Sequence, residues 1–167
     1  MIVSVSQAEA EGQSRVVAIR LASVTLRFME NWRREVGGNE EAMILLAMVA
    51  IIAERLLRTT IPDDIKDLRK PMPQDDLARC NIASIAEATG INRETVRRKL
   101  ARMIEQGAVV RQLDGAFLFA PGFMQQKRVI ETIQLQLESL RGLTQCFIED
   151  GIFEIAQSGG NGSGGGT

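Results

Sequence analysis

Two residue types that support much of protein chemistry are missing from this chain of 167 residues. It contains no histidine, which excludes histidine metal sites and histidine general bases, and no tyrosine, which excludes a phenolic nucleophile. Its two cysteines, Cys80 and Cys146, lie far apart and form no CxxC pattern, so we expect two reduced, partly buried thiols. The chain is therefore not expected to be an enzyme, and no metal or cofactor is predicted.

Long apolar segments are also scarce. The most apolar run, AMILLAMVAIIA at 42–53, is too short to cross a bilayer and has charged residues on both sides. The first residues, MIVSVSQAEAEG, lack the basic start and apolar stretch of a signal peptide. We therefore expect a cytoplasmic protein without membrane contacts, in which residues 42–53 form a buried helix.

Charge is nearly balanced over the whole chain, with a net value of −1, but it is unevenly distributed. Residues 81–128 contain eight lysine and arginine side chains against four acidic ones. This asymmetry makes the middle of the chain the candidate region for contact with a polyanion.

The spacing of apolar, proline and glycine residues predicts how the chain is divided. Helices are predicted at about 15–36 and 39–58, although the alternation in VAIRLASVT is also compatible with a strand. The predicted segments are a flexible N-terminus at 1–14, a helical region with a connector at 15–79, a DNA-binding domain at 80–122, a C-terminal dimerisation helix at 123–157, and a disordered Gly/Ser tail at 158–167.

The C-terminal helix has apolar residues at alternating steps of three and four, which is the spacing of a coiled-coil seam. Such a seam can pack on its own domain or on a second copy, and the polar glutamines beside it favour the second copy. The predicted dimer interface consists of Ile130, Ile133, Leu137, Leu140 and Phe147.

Residues 82–110, IASIAEATGINRETVRRKLARMIEQGAVV, have the pattern of two helices joined by a tight turn. Gly90 supplies the turn, and Asn92 can cap the second helix by accepting from the amide of Glu94 or Thr95. The predicted core of this helix-turn-helix is Ile85, Ala86, Gly90, Ile91, Val96 and Leu100. The next run, VVRQLDGAFLFAP, predicts a β-hairpin around Asp114-Gly115.

These elements together predict a mainly α-helical fold: a winged helix-turn-helix with a small hairpin wing, flanked by N-terminal helices and a long C-terminal helix. From residue 82 to about 122 the chain resembles the winged helix-turn-helix of bacterial transcription regulators. NRETVRRKL is most similar to the catabolite activator class, whose recognition helix typically begins with Arg-Glu-Thr-Val, and the segment is also similar to the IclR and GntR classes. The resemblance implies binding to double-stranded DNA. It implies no cyclic-nucleotide binding, because no β-roll domain precedes the motif.

By this resemblance, Arg93, Glu94 and Arg98 would contact base edges and Thr95 would contact a phosphate. The chemistry is consistent, because arginine pairs bidentately with guanine and glutamate accepts from the cytosine amino group. Arg97 stands where the activator class tends to have a small residue. The basic residues assigned to the DNA backbone, together with Thr95, are Arg97, Arg102, Arg111, Lys127 and Arg128.

Three functions remain open from the sequence. The first is a homodimeric transcriptional regulator with recognition helices 93–106 in successive major grooves, about 34 Å apart, and wing residues 109–119 on the backbone. Such a regulator could also contact RNA polymerase. The second is a winged-helix module whose basic face binds an acidic protein. The third is a regulator gated by a small apolar ligand held between the helices at 15–58 and 123–149.

Overall fold

A computed structural model of the chain describes residues 2–57, 61, 63–70, 72 and 77–156. The described part is mainly helical, with six α-helices and two small antiparallel sheets of two strands each. The prediction of a mainly α-helical fold with a small antiparallel sheet is confirmed, and the second sheet was not expected. The Gly/Ser tail predicted at 158–167 lies outside the described residues.

The first and the last strand of the described part pair with each other, and the six helices and a hairpin lie between them in sequence. The elements are β1 (Ile2–Val5), α1 (Gln7–Gly12), α2 (Ser14–Val36), α3 (Asn39–Leu57), α4 (Ile82–Thr89), α5 (Arg93–Glu105), β2 (Val109–Arg111), β3 (Phe117–Phe119), α6 (Lys127–Glu149) and β4 (Phe153–Ala156). A short 3₁₀ helix at Asp63–Ile65 lies in the predicted connector. Residues 27–135 form one compact unit, the central unit, and residues 1–26 with 136–167 form another, the terminal unit.

The core of the central unit is built around α3, which packs against α4 and α5. Ile44, Leu45 and Met48 of α3 are completely buried and belong to the same apolar cluster as Ile85 and Leu100. A helix that is apolar nearly all round needs neighbours on several sides, and α4 and α5 supply them. The boundary predicted between residues 79 and 80 therefore does not separate two packing units.

No single described helix is long and apolar enough to cross a membrane. Residues Ser14–Val36 and Asn39–Glu54 reach such a length and composition only as a pair, which is bent by 97°.

The hairpin of the central unit follows α5 directly. Val109 pairs with Phe119 and Arg111 pairs with Phe117 in an antiparallel register. The connecting turn includes Gly115 at φ +85°, a backbone conformation that glycine adopts without strain. The amide of Phe117 also donates to the carbonyl oxygen of Cys80 at 2.8 Å, so the residues before α4 lie alongside β3.

The terminal unit corrects two predictions about the ends of the sequence. Residues 1–14, predicted to be flexible, contain β1 and α1, because β1 pairs antiparallel with β4 along its whole length. Residues 123–157 were predicted as one helix, and of these the structure describes 123–156, which are helical only in α6. Residues 121–126, which precede α6 and begin with Pro121 and Gly122, form turns. After α6 the chain turns at Gly151, with φ +73°, into β4.

Candidate nucleic-acid interface

The first helix of the predicted motif, α4, is fixed at both ends by local hydrogen bonds. Asn81 caps its N-terminus by accepting from the amide of Ser84 at 3.0 Å, and the Ser84 hydroxyl accepts from the amide of Asn81 at 3.1 Å. At the other end Gly90 has φ +70°, and its amide donates to the carbonyl oxygen of Ala86 at 2.9 Å. These contacts end α4 sharply and direct the chain into the next helix.

The second helix, α5, begins at the cap that the sequence indicated. The side-chain oxygen of Asn92 accepts from the amide of Glu94 at 2.8 Å. Val96 and Leu100 are buried on the inner side of α5, together with Ile85 of α4. Ala86 and Ile91 are partly buried against the same cluster. The six predicted core residues thus lie at the junction of α4 and α5, with Gly90 in the turn.

The outer side of α5 carries the three residues assigned to base edges. Arg93 and Arg98 are exposed, and neither forms a hydrogen bond or ion pair with another described residue. Glu94 lies between them in sequence and pairs with Arg97, whose Nη2 donates to Oε1 at 2.5 Å and Nε to Oε2 at 2.9 Å. Thr95 is half-buried. Two unpaired guanidinium groups and one carboxylate therefore face solvent together.

The pair between Glu94 and Arg97 keeps both side chains ionised. The hydrogen bonds from Arg97 hold the pKa of Glu94 below its ordinary value, and the same contact raises the pKa of Arg97. Glu94 is therefore a carboxylate at any pH near neutrality, and it can only accept hydrogen bonds from a partner.

Lys99 belongs to the same basic segment but turns inward. Its Nζ lies 3.0 Å from Glu40 and 3.1 Å from Glu41, at the first turn of α3. The Glu41 side chain is completely buried, so this contact neutralises a carboxylate inside the protein. Hydrogen bonds to Glu40 and then to Glu41 raise the pKa of Lys99. Lys99 thus fixes α5 to α3.

Sequence reasoning missed the role of Glu41 as a buried anchor. A β-carbon at Gly38 would collide with the Glu41 carboxylate, so the glycine before α3 gives this side chain its space. Arg102, assigned to the DNA backbone, lies 3.6 Å from the same carboxylate and remains exposed. The double glycine before α3 was the only local signal of this close approach.

Two further arginines lie at the hairpin. Arg111, assigned to the backbone, is exposed and its guanidinium lies 5.9 Å from the centre of the Phe117 ring. Arg79 is also exposed, and its Nη1 lies 3.2 Å from Asp114 in the hairpin turn. Sequence reasoning missed Arg79 because it lies just outside the basic window. The bridge between Cys80 and Phe117 is what brings it to the hairpin.

The two basic residues at the start of α6 differ in their surroundings. Lys127 extends into solvent and lies 3.5 Å from Glu131, one turn further along the helix. Arg128 turns toward α2, where its Nε lies 3.4 Å from the mostly buried Glu35, whose other oxygen accepts from Thr132 at 3.3 Å. Arg128 is thus less available to a phosphate than predicted.

The residues assigned to the dimer interface are not equally available. Phe147 is buried in the terminal unit and packs edge-to-face on Phe153, with ring centres 5.3 Å apart. Ile133 packs on the core of the central unit, and Ile130 is partly buried. Leu137 and Leu140 are 65% and 48% exposed. Only the middle of the predicted seam is therefore open to a partner.

Cys80 and Cys146 are both free thiols, and burial raises the pKa of Cys80 to about 11, so it is protonated at neutral pH. No three acidic or cysteine side chains within the described ranges are grouped so that they could hold a metal ion.

Comparisons of the chain with models of known protein families, with curated proteins and with solved structures found no significant match. A function for the chain therefore has to be argued from its own residues.

Proposed function

We propose that this protein is a sequence-specific, double-stranded DNA-binding regulator of transcription that acts as a homodimer. In this proposal α4 and α5 are a helix-turn-helix, the hairpin β2–β3 is its wing, and α5 lies in the major groove. The observation that carries the proposal is the outer face of α5, where Arg93 and Arg98 have no partner among the described residues and Glu94 lies between them.

Three features of the central unit support this proposal over a merely solvated helix face. The Gly90 turn and the Asn92 cap hold α5 in a defined position, so its outer side chains are presented by a rigid element. Lys99 offsets the charge of the buried Glu41, and Arg93 and Arg98 of α5 face outward without an ion pair to another described residue. The hairpin presents Arg111 without an ion pair, as a wing residue that binds a phosphate would be.

The mixture of charges favours base recognition over general attraction to phosphate. A surface that binds only the backbone gains nothing from an exposed carboxylate, since Glu94 would repel the phosphates. The same carboxylate can accept from a cytosine amino group in the major groove, while arginines pair with guanine. Each Glu94 oxygen accepts one hydrogen bond from Arg97 in the free protein and keeps a second lone pair with which it can accept from a base.

The terminal unit supports the homodimer. Among its described large apolar side chains only Phe147 and Ile152 are buried, which is too small a core for an independent unit. Val16, Ile19 and Leu26 form an exposed stripe along α2, and Leu137 and Leu140 are exposed on α6. A second copy offers the same stripes, so twofold pairing lets each copy cover the other.

The test is a titration of the purified protein against fragments of its own genome at several salt concentrations. We expect retention of a small number of fragments, with an affinity that falls steeply as salt rises. Equal retention of all fragments would leave only backbone binding, and no retention at low salt would refute the proposal. In that last case the basic face becomes a candidate surface for an acidic protein, which is the second function compatible with the motif.

A further inference from the structure

A cavity of about 280 Å³ lies in the central unit, between α3, described connector residues such as Ile65 and Leu68, and the segment that joins β3 to α6. Val49, Ile52 and Ala53 of α3 line it, and Leu118 and Phe119 contribute from the hairpin. Its volume is close to the lower end of small-molecule sites, which are roughly 300–1,000 Å³. The cavity can therefore accept a compact ligand that is smaller than a typical drug.

The chemistry of the lining is simple. Most of the described lining residues are apolar, and the only charged one among them is Lys70 of the connector. Lys70 is exposed, and its ammonium group forms no ion pair with another described residue. The side-chain amide of Gln125 also reaches the lining, but its Nε2 already donates to the carbonyl oxygen of Leu68 at 2.9 Å. Among the described lining residues, Lys70 is thus the one charged group beside an apolar chamber.

We propose that this cavity binds a small amphipathic monoanion, such as a medium-chain carboxylate. The apolar part of the ligand lies against Val49, Ile52 and Leu118, where its surface is removed from water. The carboxylate lies toward Lys70. A cationic ligand of the same length has no acidic side chain to meet among the described lining residues.

The ligand would stabilise the folded state through contacts with three parts of the central unit. The residues that would contact the ligand lie on α3, at Ile65 and Leu68 of the connector, and on β3. These surfaces separate when the unit unfolds. A ligand that binds only the folded protein raises the melting temperature as its concentration increases. The binding itself does not depend on the proposed DNA contact, so the two proposals succeed or fail independently.

In the experiment the full chain is titrated with decanoate, decanol and decylamine. Binding is measured by calorimetry and by the shift in the melting temperature of the protein. Decanoate is expected to bind most tightly, decanol more weakly and decylamine least. Lys70→Gln should weaken decanoate about two- to fivefold and leave decanol unchanged, as expected for one exposed charge contact. Lys66→Gln is the matched control, since Lys66 is an exposed connector residue that pairs with Asp63 and does not line the cavity.

A second variant, Ala53→Trp, fills the chamber and should abolish binding of all three probes. Circular dichroism shows whether this variant folds. If it does not fold, the comparison of Lys70→Gln with Lys66→Gln decides the question alone. No binding of any probe at millimolar concentration overturns the proposal, as does equal binding of decanoate and decylamine, or a loss of decanoate affinity that is the same in both lysine variants.

Discussion

Arg98 and Lys99 are neighbours in α5, yet they face different surroundings. Arg98 is exposed and has no partner among the described residues, whereas Lys99 reaches into the protein to Glu40 and Glu41. A helix turns by about 100° per residue, so one side chain can face solvent while its neighbour in sequence faces the protein interior. A cluster of basic residues in a sequence therefore contains residues with separate roles.

Arg98→Ala should weaken binding to the specific DNA site by about 1–3 kcal/mol and relax the preference for the base it contacts. The expected loss comes from the bidentate hydrogen bonds that one guanidinium can make to guanine. Binding to the specific site and to scrambled duplexes can be compared by fluorescence anisotropy. Arg141→Ala is the matched control, because Arg141 is an exposed arginine that pairs with Glu138 on α6. If both variants bind as selectively as the parent, Arg98 does not read a base.

Lys99→Met should lower the free energy of unfolding by about 2–3 kcal/mol, because among the described residues it leaves the buried Glu41 carboxylate with the more distant Arg102 as its counter-charge. Arg97→Met, two residues away, should leave the free energy of unfolding nearly unchanged, because its pair with Glu94 is exposed to water. Urea unfolding followed by circular dichroism measures both. Equal effects in the two variants would mean that the contact with Glu41 does not stabilise the fold.

The pH dependence of this difference follows from the direction of the pKa shift. The pKa of Lys99 is raised in the folded protein, so its contribution is fully present below the ordinary lysine pKa of 10.5. The contribution is lost only as the pH rises through the raised value. The difference in stability between Lys99→Met and the parent should thus be constant from about pH 6 to pH 9 and shrink in strong alkali.

The sequence predicts the local parts of this site better than the distant ones. Asn92 and Gly90 are recognisable because a cap and a turn depend on residues only a few positions away. The partner of Lys99 is 58 positions distant at Glu41, and no spacing rule connects them. For the same reason, the retained exposure of Arg93 and Arg98 follows from the motif, whereas the contact of Arg128 with Glu35 does not.

Helix boundaries in this protein depend on which backbone conformation a glycine adopts. Gly90 ends α4 with φ +70°, while Gly142 lies within α6, and an added β-carbon would meet nothing within 4 Å at either position. Any difference between substitutions at these two sites therefore comes from the backbone and not from crowding.

Gly90→Ala should lower the free energy of unfolding by about 1 kcal/mol, because alanine is strained in the left-handed conformation. Gly142→Ala should raise it by about 0.5–1 kcal/mol, because alanine is the better helix former. Urea unfolding curves of the two variants and the parent provide the comparison. Effects of the same sign in both variants would contradict the assignment of Gly90 to the turn.

Among the elements, the long helices are predicted by their own apolar spacing, and the small sheet of the terminal unit is not. α2 and α6 each repeat an apolar pattern over several turns, which local periodicity detects, and α3 is recognised by its continuous apolar run. β1 and β4 are four residues each, and both are largely exposed, so neither has the buried alternation that identifies a strand. Their hydrogen bonds to each other are what define them as strands.

In the complete molecule, the exposed stripes of the terminal unit predict the oligomeric state. The double substitution Leu137→Asp with Leu140→Asp should convert the dimer to a monomer, because two charges in an apolar interface are costly to bury. Sedimentation should give twice the 18.4 kDa of one chain for the parent and 18.4 kDa for the variant. Leu113→Asp is the control, since this fully exposed leucine lies in the hairpin turn of the central unit. A parent that sediments as one chain at micromolar concentration would refute the dimer.

The pairing of β1 with β4 also determines when the two units can form during synthesis. Ile2 pairs with Ala156, so this sheet cannot form until residue 156 has left the ribosome. The central unit consists of the continuous stretch 27–135 and can fold earlier, because its contacts close within that stretch. On a nascent chain the central unit, with the surface proposed to contact DNA, would therefore be complete before the terminal unit, and pairing with a second copy through the terminal unit would follow later.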